Sequence, residues 1–173
     1  MNELTNDNSA NFDLSSLDLL DLSDPFFPDE MSAEINGEKY FVFFLDTEIY
    51  AVPSKNVAEI FQPLGITPLP NVPNWLLGVT NFRNEIISVV DLQRLWKKED
   101  ILLSPKAKLV VLRSENDEST IAFVIDKFSE IVPLADESIQ RIKDPPPCIF
   151  GATTHKSSDL RLINAEELLS LSF

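Results

Sequence analysis

The sequence predicts an all-β protein built from two similar halves. Three observations support this class. Short runs rich in Val, Ile and Phe are separated by polar turns; only two short helical segments are indicated; and one strand-to-helix unit occurs twice. An apolar fraction of 44% is ample for a core. We therefore expect two small five-stranded β-barrels packed together, preceded by an acidic tail over residues 1–36.

The central unit of the chain runs from Gly78 to Leu92. Four of the five residues at 86–90 are β-branched, which favours a buried strand that is apolar on both faces. Asn84 suits the preceding hairpin tip because asparagine tolerates positive φ. Asp91 then ends the strand and can accept hydrogen bonds from the free N–H groups of a short helix, residues 92–97.

The same unit recurs in a weaker form. Gly151 lies 73 residues after Gly78, and Asn164 lies 73 residues after Asp91. Asn164 is again a good N-cap, and Glu167 stands where a capping-box partner belongs. Two further blocks repeat in the same order: 48–52 with 120–124, and 57–60 with 128–131. Duplication is the interpretation we favour over chance similarity, with halves of 37–104 and 105–173.

Gly78 and Gly151 are expected to be structural residues, because the chain uses only four glycines and places these two at equivalent points. The other strands are predicted from apolar runs bounded by turn residues, and the prolines between 63 and 73 predict an extended connector. An immunoglobulin-like sandwich is the alternative, but it does not explain the two capped units. The predicted strands are 40–45, 48–52, 57–61, 109–112, 121–125 and 131–134.

The charge is concentrated at the N-terminus. The formal net charge is −14, and residues 1–38 hold ten acidic groups and no Lys or Arg. A pI near 4.3 argues against nucleic acid or an anionic membrane as a partner. We expect residues 1–36 to be a disordered, solvating leader. The alternative is an acidic amphipathic turn that forms on a partner, since Leu14, Leu17 and Leu20 recur at a spacing of three.

Other features predict a soluble protein of a reducing cytoplasm. The N-terminus has no basic segment followed by an apolar region, and no apolar stretch is long enough to span a membrane. No direct membrane insertion is therefore expected. The single cysteine, Cys148, cannot form an internal disulfide.

The sequence offers little for catalysis, and we do not expect an enzyme. His155 is the only histidine, its pairing with Cys148 has no supporting context, and the glycines form no phosphate-binding loop. We expect His155 to be an exposed loop residue and Cys148 to be packed. No metal or other cofactor is expected.

Arg83 is the candidate binding residue. It lies on the predicted hairpin tip, between Asn81 and Glu85. A long cation held there could pair with a carboxylate of a partner or fix a neighbouring loop. The simpler interpretation is a solvated turn arginine.

The run GVTNFRNEIISVVDL resembles the motif of the CheW-like family, the coupling proteins of bacterial chemosensory systems. Residues 57–60, Val-Ala-Glu-Ile, match that family's Val-x-Glu-Ile segment, and residues 69–73 match its proline-containing connector. The resemblance covers about residues 38–170. Asn84 replaces the usual turn glycine, Ser88 replaces a frequent proline, and the second half is degraded at His155.

This resemblance implies two five-stranded β-barrels and no catalytic activity. It implies binding to the regulatory domain of a CheA-type histidine kinase and to the cytoplasmic tip of a methyl-accepting receptor, in control of flagellar or pilus-based motility. It places Val57, Glu59 and Ile60 in the partner-contacting segment, with Asn81 and Arg83 near the receptor groove. The rival hypothesis is a β-sheet regulatory module that acts through its acidic leader without bridging kinase and receptor.

Overall fold

The computed structural model describes residues 37–62, 65–96, 104–116 and 118–171. The leader, residues 1–36, and the predicted end of the first helix at Lys97 lie outside the described residues. Within these ranges the chain forms strands joined by turns and two short α-helices. The elements are β1 (Glu38–Leu45), β2 (Glu48–Pro53), β3 (Val57–Phe61), β4 (Leu76–Phe82), β5 (Glu85–Val90), α1 (Leu92–Leu95), β6 (Lys108–Arg113), β7 (Thr120–Ile125), β8 (Lys127–Leu134), β9 (Gln140–Arg141), β10 (Ile149–His155), β11 (Ser158–Ile163) and α2 (Ala165–Leu169), with 3-10 turns at Ser54–Asn56 and Asp136–Ser138.

The strands form two mixed sheets, which confirms the all-β class. One sheet has five strands in the order β3-β6-β7-β5-β4. The other has six, in the order β8-β1-β2-β11-β10-β9. The sixth strand, β9, is only two residues long and pairs with Ala152 and its neighbour on β10. Its counterpart in the five-stranded sheet is a single bridge between Thr67 and Val79.

The two sheets exchange hairpins between the sequence halves. The β1–β2 hairpin of the first half lies between β8 and β11 of the second half, while β6–β7 lies between β3 and β5. The joints are parallel pairings of β2 with β11 and of β5 with β7, whereas the ladders on either side are antiparallel. Apart from β9, each strand of one sheet takes the place of its repeat-related strand in the other. The order β3-β6-β7-β5-β4 thus corresponds to β8-β1-β2-β11-β10. Neither sequence half therefore contains a complete sheet.

Irregularities in the ladders are repeated as well. The β4–β5 register shifts between Leu76 and Gly78, and the β10–β11 register shifts between Ile149 and Gly151. The β3–β6 register shifts between Val57 and Glu59, and the β1–β8 ladder shifts at the equivalent point of β8. β-bulges bend and twist a strand at a defined place. Their repetition supports the duplication indicated by the sequence.

Apolar side chains are buried on both faces of each sheet. Val90 belongs to the central cluster between the sheets, whereas Ile87 and Val89 face a second cluster on the other side of the five-stranded sheet. In the central cluster the ring of Phe43 lies 5.2 Å from that of Phe123, which joins β1 to β7. A third cluster, which includes Tyr40, covers the far face of the six-stranded sheet. Burial on both faces explains why these strands are nearly continuous apolar runs.

The two helix caps follow the sequence only in part. Asp91 Oδ1 accepts a hydrogen bond from the backbone N–H of Gln93 at 2.9 Å, and Asn164 Oδ1 accepts one from that of Glu167 at 3.2 Å. The expected capping box also required the N–H of Asn164 to donate to the Glu167 carboxylate, and this prediction is wrong. The N–H of Asn164 instead donates to the carbonyl of Cys148, and the Glu167 carboxylate accepts from the N–H of Cys148 at 3.0 Å. The second cap is therefore tied to β10 rather than closed on itself.

Gly78 and Gly151 lie where the backbone of a neighbouring segment passes close by. Gly78 has a φ of 139°, and a Cβ there would overlap the carbonyl oxygen of Thr67. A Cβ on Gly151 would lie 2.9 Å from Cγ2 of Ile139 and 3.0 Å from the carbonyl oxygen of Gln140. Each glycine thus leaves space for the outermost segment of its sheet.

We predict that Gly78→Val destabilises the protein by about 3 kcal/mol or more, because a strained φ and a steric clash act together. Gly65→Val is the matched control. Gly65 also has a positive φ, of 148°, but apart from Gly65 and its chain neighbours no atom of the described residues lies within 4 Å of the point that its Cβ would occupy. The control should lose about 1–2 kcal/mol of stability, from backbone strain alone. Thermal and denaturant unfolding measure both variants, and equal losses would show that the close approach to Thr67 is unimportant.

Candidate functional site

The β4–β5 hairpin ends in a tight two-residue turn, here called the first tip. Arg83 and Asn84 occupy it with φ of 48° and 69°. Positive φ at both central residues is the geometry of a type I′ turn, which matches the twist of the flanking strands. The N–H of Asn84 also donates to Oδ1 of Asn81 at 3.3 Å. The sequence predicted positive φ at Asn84 but not at Arg83.

The Arg83 side chain reaches sideways to β3. Its Nη2 lies 2.7 Å from Oε2 of Glu59, and its guanidinium lies 5.4 Å from the centre of the Phe82 ring. Glu59 is mostly buried, with 15% of its side chain exposed, whereas 62% of the Arg83 side chain is exposed. Oε2 is buried and receives no well-directed hydrogen bond among the described residues, so the contact is an ion pair at close range.

Side chains at this point join the two outer strands of the five-stranded sheet. Among the described residues no backbone ladder links β3 to β4. The rings of Phe61 on β3 and Phe82 on β4 stack with centroids 5.8 Å apart, beside the pair of Glu59 and Arg83. Arg83 therefore has a role within the molecule as well as an exposed guanidinium. The second role suggested from the sequence was to fix a neighbouring loop, whereas the contact observed is an ion pair to the strand β3.

The β10–β11 turn, here called the second tip, repeats this geometry. Lys156 and Ser157 have φ of 49° and 66°, and Nζ of Lys156 lies 2.6 Å from Oε1 of Glu130 on β8. His155 Nε2 lies 3.2 Å from the same oxygen. The contact with Lys156, followed by that with His155, lowers the pKa of the Glu130 carboxyl. The expected exposed loop position of His155 is wrong, since it ends β10 and only 19% of its side chain is exposed.

The residues matched to the family's Val-x-Glu-Ile segment point in different directions. Val57 and Ile60 are buried, with 6% and 8% exposed, and both belong to the central cluster. Glu59 projects to the other side, toward the first tip. Asn81 is exposed on β4. The structure thus brings Glu59 and Arg83 together and places Asn81 against the backbone of the same tip, while Val57 and Ile60 anchor β3 in the central cluster.

Ile86 is an exposed residue that the sequence did not identify. It was expected to lie within a buried strand, yet 68% of it is exposed. It stands opposite Asn81 in the β4–β5 ladder, so both side chains lie on the same face of the sheet, the one that carries Val90 of the central cluster. On this face Ser88 is half-buried and Val90 is fully buried, whereas Ile87 already packs into the second cluster on the opposite face. A β-branched run alone does not show how close its first residue lies to the hairpin tip.

A polar network beside the central cluster joins the two sequence halves. Nη1 of Arg161 lies 2.5 Å from Oε1 of Glu48 and donates to the hydroxyl of Tyr50 at 3.1 Å. The Tyr50 ring stacks on Trp96, with centroids 4.7 Å apart, and the Trp96 N–H donates to the carbonyl of Pro147. Burial raises the pKa of Tyr50, and Arg161 opposes that shift. The network connects β2, β11, the end of α1 and Pro147, which precedes β10.

A second junction lies at the 3-10 turn before β3. Lys55 pairs with Glu38 at 2.9 Å and with Glu115 at 3.0 Å, and its hydrogen bonds to these two carboxylates raise its pKa. The buried Asn56 donates to Oε1 of Glu166 on α2 at 3.2 Å. Burial, with Glu38 nearby, raises the pKa of Tyr40 to about 12. These contacts lie at the junction between the two sheets and fix its geometry.

The described residues form no evident reaction centre. Cys148 is 1% exposed, and burial, with a smaller effect of Glu167, raises its pKa to about 12, so the thiolate is strongly disfavoured. In the described ranges no three His, Cys, Asp or Glu side chains are grouped to hold a metal ion. No helix of this part of the chain is long and apolar enough to cross a membrane.

The fold and these surfaces define a β-sheet interaction module whose exposed polar tips contact the outer strands through ion pairs. Residues 39–173 match the model of the CheW-like domain. The chain belongs to the CheW-like domain family.

The relatives of this chain include proteins named chemotaxis protein CheW. The chain is 24% identical over 135 residues to chemotaxis protein CheW of Helicobacter pylori, covering 76% of this chain and 81% of the relative. It is 35% identical over 74 residues to protein FrzA of Myxococcus xanthus, covering 43% of this chain and 46% of the relative. The crystal structure of the scaffolding protein TtCheW from Thermoanaerobacter tengcongensis matches with a TM-score of 0.66 and 21% identity, over 74% of this chain and 89% of that one. This last similarity supports the shared fold.

Proposed function

We propose that this protein is a chemosensory coupling adaptor that links a CheA-type histidine kinase to methyl-accepting receptors and so controls motility or taxis. The observation that carries the proposal is the family match over residues 39–173, which spans both sheets. CheW-family proteins couple a chemotaxis kinase to receptors. Within that function, the finer proposal is that this chain binds the regulatory domain of the kinase and the cytoplasmic tip of the receptor, in the cytoplasm.

The geometry of the first tip supports a binding role. Two residues with positive φ fix the turn, and the Glu59 contact restrains the Arg83 side chain while leaving 62% of it exposed. A group that is already ordered loses less conformational entropy on binding, so it contributes more net affinity. An exposed guanidinium with free donors is suited to a carboxylate or a backbone carbonyl of a partner. We assign Arg83 and Asn81 to the receptor side of the surface.

The proposed partner-contact set also includes Val57, Glu59 and Ile60 on β3. The burial of Val57 and Ile60 supports a positioning role, since they hold the strand against the central cluster. Glu59 orients the Arg83 side chain through their ion pair. Under this proposal the protein acts by binding alone, without catalysis and without a cofactor. The high pKa of Cys148, about 12, fits such a role because the thiol stays protonated.

One observation favours a second candidate function. Residues 1–38 hold ten of the 28 acidic groups of the chain. A module that binds through this leader would titrate or inhibit one partner instead of bridging two. The two functions differ in whether residues 1–36 are needed for binding.

Calorimetric titration of the full chain and of residues 37–173 distinguishes the two functions. We expect both forms to bind the kinase regulatory domain and a receptor tip fragment, each in the presence of the other. We also expect both forms to melt at similar temperatures, because the two sheets lie within the described part of 37–173. Loss of binding on removal of the leader, or competition between the two partners, would contradict the adaptor proposal.

We predict that Arg83→Ala weakens binding to the receptor fragment about thirty-fold and leaves kinase binding nearly unchanged. A guanidinium desolvated at an interface can contribute about 2 kcal/mol, which corresponds to that factor. Stability should fall by about 1–2 kcal/mol, because the mostly buried carboxylate of Glu59 loses its cation. Lys156→Ala is the matched control, because Lys156 holds the equivalent turn position and an equivalent ion pair with Glu130.

The variant Arg83→Lys separates charge from geometry. A lysine retains the positive charge but not the planar fork of donors. Receptor binding that survives Arg83→Lys indicates a point charge, and binding that is lost indicates the fork. If Arg83→Ala binds the receptor normally but melts well below the Lys156→Ala control, Arg83 serves only to join β3 to β4.

A further inference from the structure

Phe82 is the last residue of β4 and directly precedes Arg83 of the first tip. Its side chain is buried and belongs to the second cluster, together with Ile87 and Val89 of the neighbouring strand β5. The guanidinium carbon of Arg83 lies 5.4 Å from the centre of the Phe82 ring, which is within the range of a cation–π contact. The exposed cation therefore lies against a ring that is itself fixed in the core.

The Phe82 ring is in turn held by a second ring, that of Phe61 on β3. The two rings stack with their centroids 5.8 Å apart and their planes inclined by 23°. Arg83 is thus connected to β3 in two ways: directly through its ion pair with Glu59, and indirectly through Phe82 and Phe61. A single contact lets a long side chain pivot about it, whereas two separate contacts define its direction.

The backbone of the first tip makes this support important. Arg83 has a φ of 48°, in the left-handed region that is unfavourable for most residues other than glycine, asparagine and aspartate. Its side chain leaves the turn with 62% of its surface exposed, so few neighbours restrict its rotamers. A long side chain of this kind has much conformational entropy to lose on binding. Contacts at the guanidinium are therefore what limits the orientation of its N–H donors.

The second tip has the same backbone geometry but a different residue before its cation. Lys156 holds the equivalent turn position, with a φ of 49°, and pairs with Glu130. The preceding residue is His155, whose Nε2 lies 3.2 Å from the carboxylate of Glu130. His155 thus contacts the anion of its tip, whereas Phe82 contacts the cation. The aromatic support of the cation is therefore a feature in which the two tips differ.

We propose that Phe82 is a positioning residue for Arg83, whose ring fixes the direction of the guanidinium before a partner binds. The ring attracts the cation through its negative face and uses none of the N–H donors. The ion pair with Glu59 engages Nη2, so the other donors of the planar fork remain available to a partner. A guanidinium ordered in advance loses less entropy on binding. This effect on affinity rests on the proposed function, in which Arg83 contacts the receptor.

The test changes the electrostatics of the ring while leaving its size nearly unchanged. Phe82 alone is replaced by its mono-, di- and trifluoro analogues, which withdraw electron density from the face of the ring step by step. In the free protein we expect the order parameter of the Arg83 Nε–H bond, measured by NMR relaxation, to fall along this series. His155→Leu is the matched control, because it changes the equivalent position of the second tip and should leave that order parameter unchanged.

Calorimetric titration of the same series with the receptor fragment gives the second measurement. Receptor affinity should fall step by step, by about two- to five-fold in total, which is the range of an exposed cation–π contact. Affinity for the kinase regulatory domain should stay unchanged. In the Arg83→Ala background the fluorinated analogues should have no effect on receptor affinity, because the ring then has no cation to position.

The outcomes separate this inference from the proposed function. If the wild-type chain binds both partners but either the order parameter or the receptor affinity stays constant along the series, Phe82 only packs; the inference is then wrong and the adaptor function stands. If receptor affinity falls equally in the Arg83→Ala background, the ring acts on the receptor directly and the positioning role is also wrong. If the wild-type chain does not bind the receptor fragment, the adaptor function fails, and the order parameter alone decides whether Phe82 positions Arg83.

Discussion

The exchange of hairpins between the two sequence halves is the constraint on which the rest of the structure depends. The parallel pairings of β2 with β11 and of β5 with β7 join strands from different halves. Without β6 the edge strand β3 would have no ladder partner, and without β1 the same is true of β8. Since β3 carries Glu59 and β8 carries Glu130, both hairpin tips depend on the exchange.

The two tips show how one architecture can be repeated and then diverge in chemistry. Both use two residues with positive φ, and both place a cation within 2.7 Å of a carboxylate on the outer strand. At the first tip an aromatic ring, Phe82, lies under Arg83, whereas the second tip has His155 at the equivalent place. Only the first tip is followed by an exposed apolar residue, because Asp159 stands where Ile86 would be. The framework is symmetric, but the surfaces that it presents are different.

Local patterns in the sequence predicted much of this molecule, because they depend on interactions between near neighbours. The buried strand before Asp91, its cap and the repeated unit at Asn164 are all local features. The exchange of hairpins was not predictable from them, since a parallel pairing joins residues far apart in sequence and leaves no local pattern. Glu167 shows the same limit. It stands at the right spacing for a capping box, but its carboxylate accepts from Cys148, which approaches only in the folded chain. The contact of Arg83 with Glu59 is likewise long-range.

Separate production of residues 37–104 and 105–173 tests the central claim most directly. Each half lacks the hairpin that completes its sheet, so we expect neither to show a cooperative thermal transition by circular dichroism, and we expect an equimolar mixture to recover one. A cooperative transition of either half alone, at a temperature close to that of the intact chain, would contradict the account, because that half would then form its sheet without the exchanged hairpin.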